Sequence, residues 1–556
     1  MPFRLFERFE MKKTRFLVML GILLVMVQAM VSVVALYRIK RFDVLVTRYL
    51  ILLVFALLLA VVIVIGTQFF NIANIVGDVV SVAVIIALIW VANSVHATEK
   101  AIENIAPKNT VDIMMNVIVV RDAGFTDVKD LAGKTVGISK VDEDTRDYCI
   151  NAAKKMRSDL GDVDIPLNEY DDELTMAQAL LHGDVSALIV NSANVGMIDD
   201  IFSVIEEGED GYLGKREDGI PVVFTDMTEV LTSYTITVDA KETNQVKPNG
   251  NNSSNNNDKP KEDDREIIDT AVTPFLMFVS GIDTEGDIST IARSDVNVIV
   301  CVNPVTKMIG LITTPRDSYV EIPGVTDGSG FYDKLTHAGI FSAQCQASIA
   351  ALEKLYGIDV DYYMKLNFTS MRGLVDALGG VSVYSKYEFD SKNILGVHFN
   401  QGYNQVNGEE ALIFCRERYS FPDGDYQRGR NHLEMIKAIF NKALSPALLA
   451  NYSEILSKIS ANVETNMTQG EITNLVKMQL DDKASWNIVT YAAYGINGGR
   501  QQLRHTYTAK QYLRSVTILD EDSVACATEM MERILNGEIV TEEQLNTRFG
   551  KAEEKK

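Results

Sequence analysis

Arg416 and Arg418 stand two positions apart, and Arg428 and Arg430 follow in the run Asp425-Tyr426-Gln427-Arg428-Gly429-Arg430-Asn431. Four arginines within 15 residues run against the rest of the chain, whose formal net charge is -22. Just upstream, Ala411-Leu412-Ile413-Phe414-Cys415 reads as a buried strand, which puts Arg416 and Arg418 at its end. Side chains two apart on a strand share a face. A guanidinium is a planar fork that bonds two oxygens at once, so two forks on one face suit a phosphate or pyrophosphate. The alternative is a surface pair neutralised by Glu409, Glu410 and Glu417.

Three apolar runs upstream end in charged residues. Phe275–Val279 reads as a strand leading to Asp283. Arg293-Ser294-Asp295 opens a second, over 296–302, and a third, 308–313, runs into Arg316-Asp317. Charged groups gathered at the ends of neighbouring strands are how open α/β sheets build sites. Carboxylates beside arginines suggest a hard cation such as Mg²⁺, which takes one or two carboxylates together with phosphate oxygens. Ordinary salt bridges of Arg293 with Asp295 and of Arg316 with Asp317 are the competing reading. Lys334 adds a point charge able to reach a phosphate. His337 nearby reads as structural.

Helices must position these groups. They are expected over 342–356, over 367–378, closed by Gly379-Gly380 before a strand at 381–383, and over 433–444. The last carries an apolar stripe, Ile436, Ile439, Phe440 and Ala443, that suits a core or a slot for an acyl chain.

At 556 residues the chain is too long for one core. Its acidity argues against nucleic acid as a partner, which demands a basic face. Cys149, Cys301, Cys345, Cys415 and Cys526 are odd in number and lack CxxC spacing, so neither a disulfide framework nor a zinc site is expected. Cys301 and Cys415 lie in apolar runs as small buried residues.

Residues 1–98 contain three apolar runs long enough to span a bilayer, about 16–36, 49–66 and 75–95. Asp78 sits near one end of the third. Arg4, Arg8, Lys12, Lys13 and Arg15 favour a cytoplasmic N-terminus, which puts the soluble part outside. Arg38, Lys40, Arg41 and Arg48 in the first loop oppose that orientation.

Residues 106–240 alternate strand and helix patterns: a strand at 111–120, a short helix and turn through Asp130-Leu131-Ala132-Gly133-Lys134, and a helix at 175–181 before a strand at 186–190. The Asp130-to-Ile138 run resembles segments of periplasmic solute-binding domains. Lys134 lacks P-loop spacing. An accessory or interaction domain is the expectation. Residues 241–264, rich in asparagine and without an apolar face, read as a disordered tether. A second α/β domain then covers 265–530, with a polar tail over 531–556.

Within that domain SGIDT, RSD, TTPRDSYV, DKLTHAG, DYYMKLNF, LVDALGGVSV and ERYSFPDGDYQRGRN occur in an order that resembles the LytR-CpsA-Psr family over about 270–450. The layout resembles in particular the family's capsule-attaching streptococcal members. The resemblance implies an α/β/α sandwich with a mixed central sheet, whose pocket takes a prenyl chain. It implies a membrane-anchored phosphotransferase outside a multi-pass anchor in the cell membrane. Such an enzyme moves a capsule- or teichoic-acid-like glycopolymer from a polyprenyl-pyrophosphate carrier to a peptidoglycan hydroxyl. By the same resemblance Asp283 and Asp295 hold Mg²⁺. Arg293, Arg316, Arg416 and Arg418 grip the pyrophosphate, with Lys334, Arg428 and Asn431 completing its contacts; Arg293, Asp295, Arg316, Arg416 and Arg418 carry the catalysis. His432 departs from the glutamine common in the family and introduces a pH-dependent charge.

Phosphoryl transfer asks mainly for positioning and charge neutralisation, which this inventory supplies. No Ser/His/Asp or Cys/His set is readable, so a covalent intermediate is not expected. Asp283, Asp295 or a water on the metal remains open as the base. The alternatives are a pyrophosphatase acting on the same lipid and a non-enzymatic regulator of polysaccharide assembly.

Overall fold

A computed structural model describes residues 2–240 and 268–544, apart from 43–46, 70–72, 142, 210, 217–218, 220, 285–287, 324–329, 393, 395, 446–451 and 461. The expected tether at 241–264 lies outside the described residues.

Three long helices open the chain: α1 (Pro2–Phe42), α2 (Thr47–Thr67) and α3 (Ala73–Ile105). Their stretches Val18–Arg41, Thr47–Thr67 and Ile75–Ile105 are long and apolar enough to cross a membrane. Small and polar groups mark where the helices meet. Ser81 donates to Gln28 across a buried contact at 2.6 Å, and Arg38 donates to the Ala92 carbonyl at 3.1 Å. Asp78 lies in the second turn of α3 and accepts from Gln68 at 3.1 Å.

The next region forms a five-stranded mixed sheet, in which β1 (Thr110–Val120), β2 (Val136–Ser139), β3 (Leu167–Tyr170), β4 (Ala187–Asn191) and β5 (Thr228–Asp239) lie in the order β3-β2-β4-β1-β5. Alternation along β1 explains its two packed faces. Ile113, Met115 and Val117 join one core with helix α4 (Glu143–Asp159), and Ile118 joins the other with α5 (Glu173–His182) and α6 (Ser192–Phe202). The first of these cores also takes in Ile291 and Ala343 from beyond 268. The Ile291 amide donates to the Asp112 carbonyl at 3.3 Å. The two soluble regions therefore share apolar packing.

The second region is built on a six-stranded mixed sheet. Its strands are β6 (Phe275–Ile282), β7 (Ser294–Asn303), β8 (Met308–Thr313), β9 (Tyr362–Leu366), β10 (Val463–Thr465) and β11 (Asn487–Ala492), in the order β10-β9-β6-β7-β8-β11. The central three are antiparallel neighbours, while β9 joins β6 and β11 joins β8 in parallel. Both faces are buried, so the strands read as continuous apolar runs. Leu276, Phe278, Ile299 and Cys301 point to one face, under α7 (Gln346–Tyr356) and a C-terminal helix, Glu521–Leu535. Phe275, Met277, Val298 and Val300 point to the other, under Leu433, Ile436 and Phe440 of the long helix Gly424–Ala443. The result is a three-layered α/β/α sandwich.

Two sequence expectations are corrected. The polar tail does not begin at 531, because helix Glu521–Leu535 runs through it and buries Met531 and Ile534 in the sheet's core. The run 411–415 is no strand: it lies in helix α9 (Gly408–Arg416), which follows α8 (Phe368–Ala377) and precedes α10 (Gly424–Ala443). A five-residue apolar run does not distinguish a strand from a fully buried helix. Asn407 and Glu410 decide it. The Asn407 side chain accepts from the Glu410 amide at 3.0 Å, and Glu410 accepts from the Asn407 amide at 2.9 Å, a reciprocal helix start.

Candidate functional site

Loss of the strand removes the first reason for pairing Arg416 with Arg418, yet both line one cavity of about 840 Å³. Arg416 is the last residue of α9, its guanidinium 4.6 Å from the Phe368 ring centroid. Arg418 lies in the turn beyond, over the Tyr419 ring and donating to the Tyr419 hydroxyl at 2.5 Å. Glu417 between them is fully buried and faces away. Its Oε1 accepts the amides of Arg418, Tyr419 and Ser420, and its Oε2 accepts the Ser391 hydroxyl and the Lys392 amide. It is the hub of the turn that aims Arg418, and not a neutralising surface charge.

The strand ends supply the rest. Arg293, just before β7, donates to Asp283 beyond β6 at 2.7 Å. Arg316, after β8, donates to Asp295 at 2.6 Å, while Thr336 donates to the other Asp295 oxygen at 2.9 Å. Lys334 places its Nζ 3.1 Å from Asp317. Burial opposes the charge on Asp295, but Arg316 and Arg293 outweigh it and hold the carboxyl well below the usual carboxylate range. Burial likewise works against Arg316, and Asp295 and Asp317 keep it firmly charged. The shortest pairings of Arg293 and Arg316 thus cross to other strand ends, while Arg316 also keeps its expected neighbour Asp317 at 3.9 Å.

Arg428, in α10, lines the same cavity and pairs with Asp425. Burial lowers its pKa from the ordinary arginine value. Arg430 bonds Asp423 and Gln427 and is not among the lining residues. Asn431 is placed behind the wall: its amide donates to the Phe414 carbonyl at 3.3 Å and its oxygen accepts from Gln427 at 2.8 Å. His337 is buried against Asp333 at 2.7 Å, away from the lining.

His432 does line the cavity. Its Nε2–H donates to the Cys415 carbonyl at 2.9 Å. Burial, helped by Arg428, pushes its pKa down to about 4, so it is neutral near pH 7 and carries no pH-dependent charge there. This corrects the sequence expectation. Because the folded value lies below the ordinary 6.5, its contribution to stability is present above pH 6.5 and lost as pH falls toward 4. We expect wild-type unfolding free energy to drop by up to roughly 3 kcal/mol more than that of His432→Gln between pH 7 and 4. Equal pH slopes in denaturant titrations of the two proteins would contradict this.

Two features escaped the sequence, and a third extends the apolar stripe it showed. Arg514, almost fully buried on the strand Ala509–Val516, lines the cavity, although nothing around it in the sequence distinguishes it. Ile436 and Ile439 of the expected stripe join Val279, Leu366, Met371 and Leu412 in an apolar wall, whereas Phe440 packs against the sheet. Lastly, Gly196, Asp199, Asp200 and Arg216 of the first soluble region complete the lining. The charged lining comprises Arg216, Arg293, Arg316, Lys334, Arg416, Arg418, Arg428 and Arg514 against Asp199, Asp200, Asp283, Asp295 and Asp317, an excess of three positive charges. Cys415 is no nucleophile, its thiol pushed up to about 12 by burial.

The carboxylates expected to hold a hard cation, Asp283 and Asp295, accept from Arg293 at 2.7 Å and from Arg316 at 2.6 Å. Among the described residues no cluster of three or more His, Cys, Asp and Glu side chains could hold a metal ion. The donor set therefore fits Mg²⁺ only where phosphate oxygens of a ligand supply further positions.

The model of the LytR_cpsA_psr family matches residues 233–513. The polyisoprenyl-teichoic acid–peptidoglycan teichoic acid transferase TagU of Bacillus cereus is 31% identical over 220 residues, 40% of this chain and 69% of that protein. TagU of Enterococcus faecalis is 34% identical over 220 residues, 39% and 68% of the two chains. Among solved structures, Bacillus subtilis TagU aligns at 26% identity and a TM-score of 0.36, covering 48% of this chain and 100% of its own. TagT bound to LIIa-WTA aligns at 25% identity and a TM-score of 0.38, covering 49% and 95%. With its matched region spanning the strand ends, the arginine turn and the apolar slot, this chain belongs to the LytR-CpsA-Psr family.

Proposed function

We propose that this chain, an enzyme of the transferase class, moves a capsule- or teichoic-acid-like glycopolymer from a polyprenyl-pyrophosphate carrier to a hydroxyl of peptidoglycan. One observation carries the reading: a single cavity joins an excess of positive charge to an apolar wall. A prenyl pyrophosphate has the complementary order, an anionic head on an apolar chain. Arg316, Arg293 and Lys334 on one side and Arg416, Arg418 and Arg428 on the other grip its two phosphates. Ile436, Ile439 and Met371 take the first isoprene units.

The acceptor hydroxyl gives up its proton to a carboxylate of the site or to water, and its oxygen forms a bond to the phosphorus that carries the glycan. The bond from that phosphorus to the bridging oxygen breaks, and polyprenyl phosphate leaves. Charge on the leaving phosphate rises during this step, and fixed guanidinium groups stabilise it without reorganising. Mg²⁺ held by Asp283 and Asp295 would neutralise further phosphate charge when bound.

The basic residues of α1 ahead of its apolar stretch Val18–Arg41 support a cytoplasmic N-terminus, and three crossings would then carry the soluble regions to the outer face of the cell membrane. Purified full chain supplied with a polyprenyl-pyrophosphate-linked glycan and peptidoglycan is expected to yield wall-linked polymer together with polyprenyl phosphate. Free glycan phosphate without wall-linked product would replace this reading with hydrolysis of the same lipid. Absence of any turnover, with altered polysaccharide levels in cells lacking the protein, would favour the regulator.

A further inference from the structure

Helix α6 of the first soluble region does more than close the cavity. Gly196, Asp199 and Asp200 are on its cavity side. A Cβ at Gly196 would lie 2.3–2.6 Å from Nη1, Cζ and Nη2 of Arg293, so that guanidinium rests directly on the helix backbone. Asp199 is committed within its own region, accepting the Thr225 amide at 2.9 Å and the Thr225 hydroxyl at 2.7 Å. Asp200 instead crosses to the second region, its Oδ2 3.2 Å from Lys334 Nζ. Lys334 is 5% exposed and already has Asp317 at 3.1 Å.

A plain interdomain salt bridge would need only one carboxylate per cation. Here a buried lysine holds two, in a cavity whose other charges favour anions. The second carboxylate comes from outside the region that carries Lys334 and all the lining arginines but Arg216. We propose that Asp200 is a displaceable counter-ion, which occupies Lys334 in the ligand-free protein and competes with a diphosphate for it. Asp200 is then a positioning residue: it keeps Lys334 extended toward the cavity, and Asp317 retains the lysine when the ligand arrives. Since competition is reciprocal, a bound diphosphate also weakens the hold of α6 on the catalytic cavity. Gly196 acts on the neighbouring cation, leaving Arg293 the room it needs.

The inference rests on the reading that the cavity takes a diphosphate. Its test is calorimetric titration of the full chain in detergent with inorganic pyrophosphate and with a short-chain prenyl diphosphate. Removing one negative charge beside the ligand should tighten binding by Asp200→Asn about tenfold relative to wild type. Gly196→Ala, helix-compatible but displacing Arg293, should weaken it about tenfold. Wild-type binding with Asp200→Asn unchanged or weaker overturns this inference and leaves the transferase reading standing. Binding by neither protein overturns both. If Asp200→Asn does not fold, amide exchange in wild-type 192–202 decides. Faster exchange with pyrophosphate upholds the competition, and unchanged or slower exchange overturns it.

Discussion

Arg316→Ala is expected to lower transfer of glycopolymer by about 10³-fold or more, the range seen when an electrostatic donor to a phosphoryl or oxyanion transition state is deleted. Arg316 is the point where the site's charges meet: it donates to Asp295 at 2.6 Å and lies 3.9 Å from Asp317 through its Nε. Truncation removes a phosphate ligand and leaves Asp295 as a buried carboxylate with only Thr336 and more distant cations around it. Breaking a buried pair from one side destabilises by about 3–5 kcal/mol. The variant should therefore lose both diphosphate affinity and thermal stability. Arg316→Ala/Asp295→Ala together should recover much of the stability but none of the activity, because the orphaned charge is gone while the ligand contact is still missing. Measuring melting, pyrophosphate affinity and wall-linked product on the single and double variants separates the two effects. Near-wild-type transfer by Arg316→Ala would remove this arginine from the site.

Much of the site was legible because charged residues at the ends of apolar runs are visible without knowing how the runs pair. Asp283, Arg293, Asp295 and Arg316 follow from that pattern alone. Their partners were not legible, since Arg293 reaches Asp283 and Arg316 reaches Asp295 only through antiparallel pairing of β6, β7 and β8. The 411–415 run failed for a different reason. Burial on every side erases helical periodicity, and the Asn407–Glu410 reciprocal cap was the signal that could have corrected it. Arg514 and the α6 wall depend on long-range packing: one comes from the distant strand Ala509–Val516, the other from a helix packed on a separate sheet. No local pattern reports either.

The turn after α9 yields the second large effect. Glu417→Ala is expected to destabilise the second region by about 3–5 kcal/mol, because a donor left without an acceptor costs about 1–3 kcal/mol and the partly exposed ones turn to water. Among the described residues, the amides of Arg418, Tyr419, Ser420 and Lys392 and the hydroxyl of Ser391 converge on this one carboxylate at 2.8–3.2 Å. Glu417→Gln should not rescue it. A glutamine presents an NH₂ group to one of the two donor clusters, and even with that group on the Ser391 hydroxyl, which can accept from it, the Lys392 amide still lacks its acceptor. The turn fixes where Arg418 projects, so both variants should also bind pyrophosphate more weakly. The simpler view of Glu417 as a counter-charge to Arg416 and Arg418 predicts the opposite sign: little change in stability and tighter anion binding once the negative charge is removed. Denaturant titration and calorimetry on the same two variants discriminate between them. Stable variants with raised pyrophosphate affinity would return Glu417 to the role of neutralising charge.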